Sequence, residues 1–255
     1  CSHEAAARAL EEEMGGRARA FRADVADPAQ VRRLFEECRS AFGPAEILIC
    51  SAGIAQQKLF TDLTDQDWQR MLDVDLSGAF YCCRQALPDM IRARWGRILL
   101  VSSMWGQTGG SCEVHYSAAK AGLIGLGKAL AKEEGPSGVT VNILAPGVVD
   151  TDMMAGFSPE DKQALAEETP VGRLGSPEEM ARTLLFLAGE ESGYITGRFL
   201  RPGSTYPVTR VRSTGPRWPP PASSLPLCGW VPATTTGYMW IPIFCRMWRV
   251  PTAPA

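Results

Sequence analysis

The 255-residue chain has no acidic side chain and no lysine beyond residue 200, although it carries 28 Asp and Glu in all. The net charge of −2 therefore divides unevenly: 20 basic against 28 acidic side chains give −8 up to residue 200, and six arginines give +6 from 201 onward. With 45% apolar and 21% charged residues the chain is not disordered, collagen-like or a strongly basic nucleic-acid binder. None of the eight cysteines falls in a Cys-x-x-Cys pair, so no metal centre is expected. Buried, reduced thiols in a cytoplasmic protein are expected instead. No charged-then-apolar leader opens the chain, so no secretory signal is expected. No run of 18 apolar residues occurs, and the apolar stretch 227–250 is broken by Pro232, Pro242, Arg246 and threonines, which speaks against a membrane span.

What is present up to residue 200 alternates between two periodicities. Residues 4–14 read as an amphipathic helix stopped by Gly15-Gly16. Strands are predicted over 18–24, 46–52, 96–103, 139–145 and 194–200. Helices are predicted over about 28–42, 66–92, 113–134, 159–168 and 177–188. Such alternation predicts βαβ units around an open parallel sheet. From 201 the periodicity stops. Eleven of the 19 prolines and four of the seven tryptophans lie there, a composition that fits neither a core nor an ordinary linker. Residues 1–200 are read as one domain. Residues 201–255 are read as an atypical, disordered tail, expected to be out-of-frame translation. A genuine Arg/Trp-rich interaction segment is the alternative.

One helix carries chemistry. Tyr116-Ser-Ala-Ala-Lys120 places a phenol and an ammonium one turn apart on one face. A neighbouring ammonium favours phenolate, so Lys120 is expected to draw the Tyr116 pKa from about 10 toward neutrality. Tyr116 is then a general acid for a carbonyl oxygen. Ser103 lies 13 residues earlier, at the carboxyl end of a predicted strand. That edge is where open α/β sheets bind ligands.

These motifs, in order, resemble the classical short-chain dehydrogenase/reductases, and in particular the 3-oxoacyl-[acyl-carrier-protein] reductase-like group of bacterial fatty-acid synthesis. The matching residues are Ala23-Asp24-Val25, Ser51-Ala52-Gly53-Ile54, Gly96-Arg97-Ile98, Ser102-Ser103, Tyr116 to Lys120, Val141-Asn142 and Ala145-Pro146-Gly147 through Thr151-Asp152-Met153. The resemblance implies a Rossmann-type three-layer fold and hydride transfer from a nicotinamide cofactor to a ketone. It implies that Tyr116 donates the proton, that Lys120 tunes it and holds the cofactor's ribose, and that Ser103 orients the carbonyl. Asp24 and Val25 would border the adenine. Ser51, Ala52 and Gly53 would run beside the cofactor, as would Pro146, Gly147, Val149 and Thr151 nearer the nicotinamide. Residues 153–172 would form a lid. The segment 103–116 is further similar to the elongation-factor-P 5-aminopentanone reductases, in which Glu113 would face a cationic or polar substrate and Met104, Trp105 and Met153 would line the pocket.

Three departures from the family pattern stand out. The Thr-Gly-x-x-x-Gly-x-Gly turn is absent, so the sheet is expected to lack the family's first two strands and its pyrophosphate cradle. Gly122, Gly125 and Gly127 imitate that spacing within the Tyr116 helix, where small residues serve packing. The family's Asn-Ala-Gly asparagine is Ser51, and its helix asparagine is Asp75, whose charge puts the usual proton-relay role in question. The last strand runs into the atypical tail, which weakens the homo-oligomer that the family implies. NADPH is the expected cofactor, with NAD second, because Cys1 to Ala6 resembles the NADP-preferring group and places Ser2 near a 2′-phosphate. The expected substrate is a small or carrier-bound ketone, with no nucleic acid or membrane partner. The expected function is NADPH-dependent reduction of a 3-oxoacyl thioester. The alternatives are the 5-aminopentanone of elongation factor P as substrate, or an inactive binding protein on the same fold, which the missing turn favours.

Overall fold

The computed structural model describes residues 2–204 and 239–242. Its centre is a four-stranded parallel sheet in the order β2 (Ile47–Cys50), β3 (Gly96–Val101), β4 (Val139–Leu144), β5 (Phe199–Leu200). Strands β3 and β4 are buried at all six positions, as befits parallel strands covered on both faces. Successive side chains point to opposite faces. Ile98, Leu100, Val141 and Ile143 join the core beneath α2 (Pro28–Phe42), α4 (Gly78–Ala93) and α6 (Val114–Glu134). Leu99, Val101 and Leu144 pack instead with Met180, Leu184 and Leu187 of α8 (Pro177–Ala188). The sheet is thus the middle of three layers.

Local chemistry fixes the helix starts. Asp27 accepts from the backbone N–H of Ala29 at the start of α2, with Pro28 in the first turn. Thr64, Ser158 and Ser176 form capping boxes with Asp67, Asp161 and Glu179 at the starts of α3 (Asp65–Leu72), α7 (Pro159–Glu168) and α8. The α1 helix (Ser2–Glu13) precedes β1 (Ala20–Ala23). Cys38, Cys50, Cys82 and Cys83 are free and buried, as expected; Cys1, Cys228 and Cys245 lie outside the described residues, as does nearly all of the predicted tail. Among the described residues no helix is long and apolar enough to cross a membrane, and no cluster of metal-ligating side chains occurs.

Three features differ from expectation. The helix expected over 66–92 is interrupted by a π-turn, Asp73–Ser77, between α3 and α4. The Gly78 N–H reaches the Asp73 carbonyl, one residue further back than in an α-helix. Secondly, the strand expected over 194–200 shrinks to Phe199–Leu200. The buried Asn142 side chain supplies the missing pairing, donating to Ile195 O (2.7 Å) and accepting from Arg198 N (3.1 Å). Thirdly, β1 pairs outside the parallel sheet, antiparallel to β6 (Met239–Pro242), in the register Ala20 to Pro242 through Ala23 to Met239. The stretch 239–241 (Met-Trp-Ile) has the composition of a strand, and a proline such as Pro242 is tolerated in one only at an edge or an end.

Candidate active site

The carboxyl ends of β2, β3 and β4 open on one edge of the sheet. They lead into Ser51-Ala52-Gly53, Ser102-Ser103 and Ala145-Pro146-Gly147. Backbone bonds tie the ends of β3 and β4 together, from Ser102 N to Leu144 O (2.7 Å) and from Met104 N to Pro146 O (3.0 Å). Helix α6 crosses this edge and brings Tyr116 and Lys120 to it.

Lys120 is held by its backbone as well as its charge. The Ser102 hydroxyl donates to the Lys120 carbonyl (2.8 Å, buried). A Cβ on Gly106 would sit 2.7 Å from that same carbonyl carbon, so α5 (Trp105–Thr108) meets α6 with no room to spare. The adjacent serines of the Ser-Ser pair thus have separate tasks: Ser102 fixes the helix, and Ser103 faces the site. The motif contained that signal, but only Ser103 stands out when the sequence is read for chemistry.

The Lys120 ammonium donates to Val101 O (3.3 Å) and pairs with Asp75 Oδ2 at 3.0 Å. Both side chains are buried, at 4% and 0% exposure. Asp75 projects from the π-turn, a local irregularity found often at functional sites. Its Oδ1 accepts from Ile54 N (2.8 Å), while Oδ2 has the ion pair but no hydrogen bond. A Cβ on Gly53 would lie 3.0 Å from both Asp75 Oδ2 and Lys120 Nζ, close enough that one of the two would have to give by a few tenths of an ångström. Burial raises the Asp75 pKa against the pull of Lys120 and of Ile54 N–H. Burial opposes the Lys120 charge, but Asp75 and Tyr116 outweigh it and raise the ammonium's pKa.

This arrangement corrects the expectation for Tyr116. Its phenol is pushed above the usual value, not toward neutrality. Burial dominates; Lys120 and a hydrogen bond with Ser103 pull downward, but Asp75 and Glu113 push up. Spacing alone shows the ammonium and hides the burial and the carboxylate that oppose it. Lys120 Nζ lies 5.5 Å from the Tyr116 ring centroid, within cation–π range. The Ser103 Oγ accepts from Trp105 N (3.2 Å), which directs its own proton elsewhere.

The other expected residues lie as follows. Asp24 is bound by Arg70 through Oδ2 (3.3 Å) and closes its own turn by accepting from Ala26 N (3.0 Å). Val25 is buried, where a Cβ on Gly78 would clash with it. Val149 makes an isolated parallel bridge with Gly175, and Thr151 is half-buried just before a short 3-10 turn, Asp152–Met154. Gly147 backs onto the chain at 203, donating to Pro202 O (2.8 Å). Met104 is buried, and the Trp105 ring lies over Gly110. Met153 is well exposed. Glu113 precedes α6 without capping it; burial raises its pKa, and Gln57 Nε2 donates to its Oε1 (3.3 Å). Ser2 begins α1, but its side chain is outside those described.

Sequence reasoning missed a second network beside the first. His115 is fully buried, its Nε2 3.0 Å from Gln56 Oε1, and its Nδ1 has no partner. Gln56 and Lys58 both donate to Asp67 (3.1 and 2.7 Å). The stretch 56–58 is thereby tied to α3 and, through Lys58 N to Cys112 O (2.8 Å), to the approach to α6.

The residues around Gly53, Ser103, Tyr116 and Lys120 fit the nicotinamide-ribose end of a dinucleotide: a phenol and an ammonium side by side, with a cleared backbone opposite. Among the described residues, however, no strand enters a helix through a Gly-x-x-x-Gly-x-Gly turn, so no counterpart for the pyrophosphate end is found. A parallel sheet presenting Ser, Tyr and Lys at its carboxyl edge places a proton donor where open α/β sheets bind their ligands. The family model described as enoyl-(acyl carrier protein) reductase matches residues 2–201. A 3-oxoacyl-[acyl-carrier-protein] reductase of Aquifex aeolicus is 42% identical over 198 residues, 76% of this chain and 80% of the relative. Two solved structures are similar: a protein assigned provisionally as a gluconate dehydrogenase from Agrobacterium tumefaciens (TM-score 0.68, 30% identity, 71% and 72% of the two chains) and ElxO with NADP bound (TM-score 0.66, 29% identity, 70% and 73%). The chain belongs to the short-chain dehydrogenase/reductase family, and it is a ketoreductase of that family.

Proposed function

We propose that the site reduces the ketone of a carrier-bound 3-oxoacyl thioester, with NADPH as reductant. The observation that carries this reading is the convergence of Ser103, Tyr116 and the Lys120–Asp75 pair at the sheet's carboxyl edge. The reduced nicotinamide would supply a hydride to the carbonyl carbon. The Tyr116 phenol gives its proton to the carbonyl oxygen, and the Ser103 hydroxyl donates a hydrogen bond to that same oxygen. Tyr116 and Lys120 would hold the ribose, with Ser51 to Gly53 beside it. Pro146, Gly147, Val149 and Thr151 would lie toward the nicotinamide, and Asp24 with Val25 toward the adenine.

The carrier-bound substrate is supported by the name of the Aquifex relative, and NADP by the ElxO complex. The alternative 5-aminopentanone substrate needs an anion for its ammonium. Glu113 is a poor one, since burial favours its neutral form and Gln57 already engages its Oε1. An inactive binding protein on the same fold is the third reading. Reduced-nicotinamide absorbance is followed with an acetoacetyl thioester. Oxidation of NADPH that Tyr116→Phe lowers steeply is expected. A folded chain without Tyr116-dependent oxidation at saturating NADPH overturns the proposal in favour of the binding protein.

A further inference from the structure

We propose that His115 is a positioning residue for the cofactor: as a neutral imidazole with its proton on Nε2, it pins the loop that follows Gly53 to the helix that carries Tyr116, and so fixes the gap that takes the nicotinamide ribose. Three consecutive residues of that loop are tied to the entry of α6. Gln56 Oε1 lies 3.0 Å from His115 Nε2, Gln57 Nε2 donates to Glu113 Oε1 (3.3 Å), and Lys58 N donates to Cys112 O (2.8 Å). Of the partners on α6 and its approach, His115 is the fully buried one. The direction of its bond follows from the groups behind it. Asp67 accepts from Lys58 Nζ (2.7 Å) and Thr64 Oγ1 (2.7 Å), which hold its carboxyl well below the usual carboxylate range, so it can only accept from Gln56 Nε2 (3.1 Å). The Gln56 amide therefore turns its oxygen to His115, and His115 donates from Nε2. Nδ1 is left as a bare lone pair, buried and without a partner, so a second proton there would meet no acceptor. Burial opposes that proton as well, and so does Lys58, against the pull of Asp67 and Asp75.

What the tie governs is one wall of the site. Residues 51–54 leave β2 and are held at Ile54 N by Asp75 Oδ1 (2.8 Å); the next side-chain anchor is Gln56, two residues on. His115 precedes Tyr116 in the same turn of α6, so one helical turn carries both the proton donor and the hold on the opposite wall. The place of Tyr116 itself has other supports. The Ser102 hydroxyl donates to Lys120 O (2.8 Å), Gly110 N donates to Ser117 Oγ (2.9 Å), and Ser117 N closes the first turn on Glu113 O (2.8 Å). Losing the His115 donor therefore frees the wall beside the cofactor and leaves the acid where it stands. The two effects separate kinetically: cofactor affinity falls, and the chemical step does not.

The inference rests on reading Ser51 to Gly53 as a cofactor wall, and its test has readouts besides turnover. The chain has two histidines, His3 and His115, so the imidazole nitrogen spectrum of the full chain holds two side chains, and the His115 variants assign them. At pH 7 His115 is expected to carry one proton, on Nε2. His115→Gln places an amide N–H where Nε2–H stood, His115→Asn reaches only as far as Nδ1, and Gln56→Leu removes the acceptor. The KM for NADPH, and its dissociation constant from nicotinamide fluorescence, are expected to rise about 3–10-fold in His115→Asn and in Gln56→Leu, the range that one lost hydrogen bond spans, with kcat within about twofold. His115→Gln is expected to restore both constants. Gln56→Leu, at a half-buried loop residue, serves where His115→Asn does not fold. A proton on Nδ1 overturns the proposal. So do unchanged NADPH constants in Gln56→Leu, a His115→Gln no better than His115→Asn, or a loss in kcat as large as the rise in KM. In each of these cases Tyr116-dependent oxidation of NADPH by the wild type leaves the reductase reading standing. If the wild type binds NADPH in this His115-dependent way but does not oxidise it, the reductase reading fails alone; a wild type that binds no NADPH overturns both.

Discussion

Replacing Lys120 by methionine removes a buried cation and leaves its partner in place. Methionine matches the lysine stem in length, so little packing is lost. What remains is Asp75, with no side-chain exposure, one backbone donor at 2.8 Å, and an Oδ2 without a hydrogen bond. Breaking a buried pair on one side costs about 3–5 kcal/mol when the orphaned charge stays ionised. Asp75 can escape part of that by taking up a proton. Its folded-state pKa is already raised by burial, and loss of Lys120 removes the next-largest influence, a downward one. A carboxyl with a folded pKa above its unfolded value binds the proton more tightly when folded, so stability falls as pH rises between the two values. The deficit of Lys120→Met relative to the wild type is therefore expected to be largest at pH 8 and to shrink toward pH 5, by up to ~1.4 kcal/mol per unit within that window. Denaturant unfolding at several pH values, with m compared to exclude a change in the unfolded state, measures it. A deficit that is flat with pH, or that grows as pH falls, would refute the argument that an unpaired Asp75 carboxylate is its source.

Tyr116→Phe keeps the ring and deletes the acid; ketone reduction is expected to fall by about 10²–10⁴-fold with unfolding midpoint nearly unchanged, as steady-state kinetics and thermal melts will show. In the wild type, the raised Tyr116 pKa predicts a reduction rate that does not decline with rising pH until the alkaline side of pH 10, where the phenol begins to lose the proton it donates; a decline beginning near neutrality contradicts this. Asn142→Leu leaves Ile195 O and Arg198 N without that partner, and with each orphaned group costing about 1–3 kcal/mol the loss is expected to be roughly 2–6 kcal/mol by denaturant unfolding.

The parallel sheet was legible because β3 and β4 are apolar-rich runs interrupted only by Arg97, Thr140 and Asn142, and the reactive helix because Tyr116 and Lys120 stand one turn apart. The positions of Ser103, Tyr116 and Lys120 followed from those two patterns. The sign of the Tyr116 shift did not, since it depends first on burial and then on Asp75, 41 residues away in sequence, both of which come from packing. The π-turn was equally invisible: residues 66–92 keep a helical apolar period, and one extra residue in a turn barely disturbs it. His115 gives no sequence signal of burial either, because its partner Gln56 is a loop residue. Arg70 is another silent partner, reaching Asp24 across the fold. The pairing of β1 with residues 239–242 depends on long-range closure, which local propensity does not encode.

The π-turn at Asp73–Ser77 also makes the chain's length here a matter of function and not of folding. A π-turn takes one more residue to close than an α-turn, so the extra residue is absorbed as a bulge and the helices on either side keep their faces. Deleting one residue between 73 and 77 would let an ordinary helix run through from Asp65 to Ala93, with Cys82, Ala86 and Met90 still in the core. What would be lost is the bulge that carries the acid, and with it the placement of Asp75 against Lys120. The helix can spare that residue; the buried ion pair cannot.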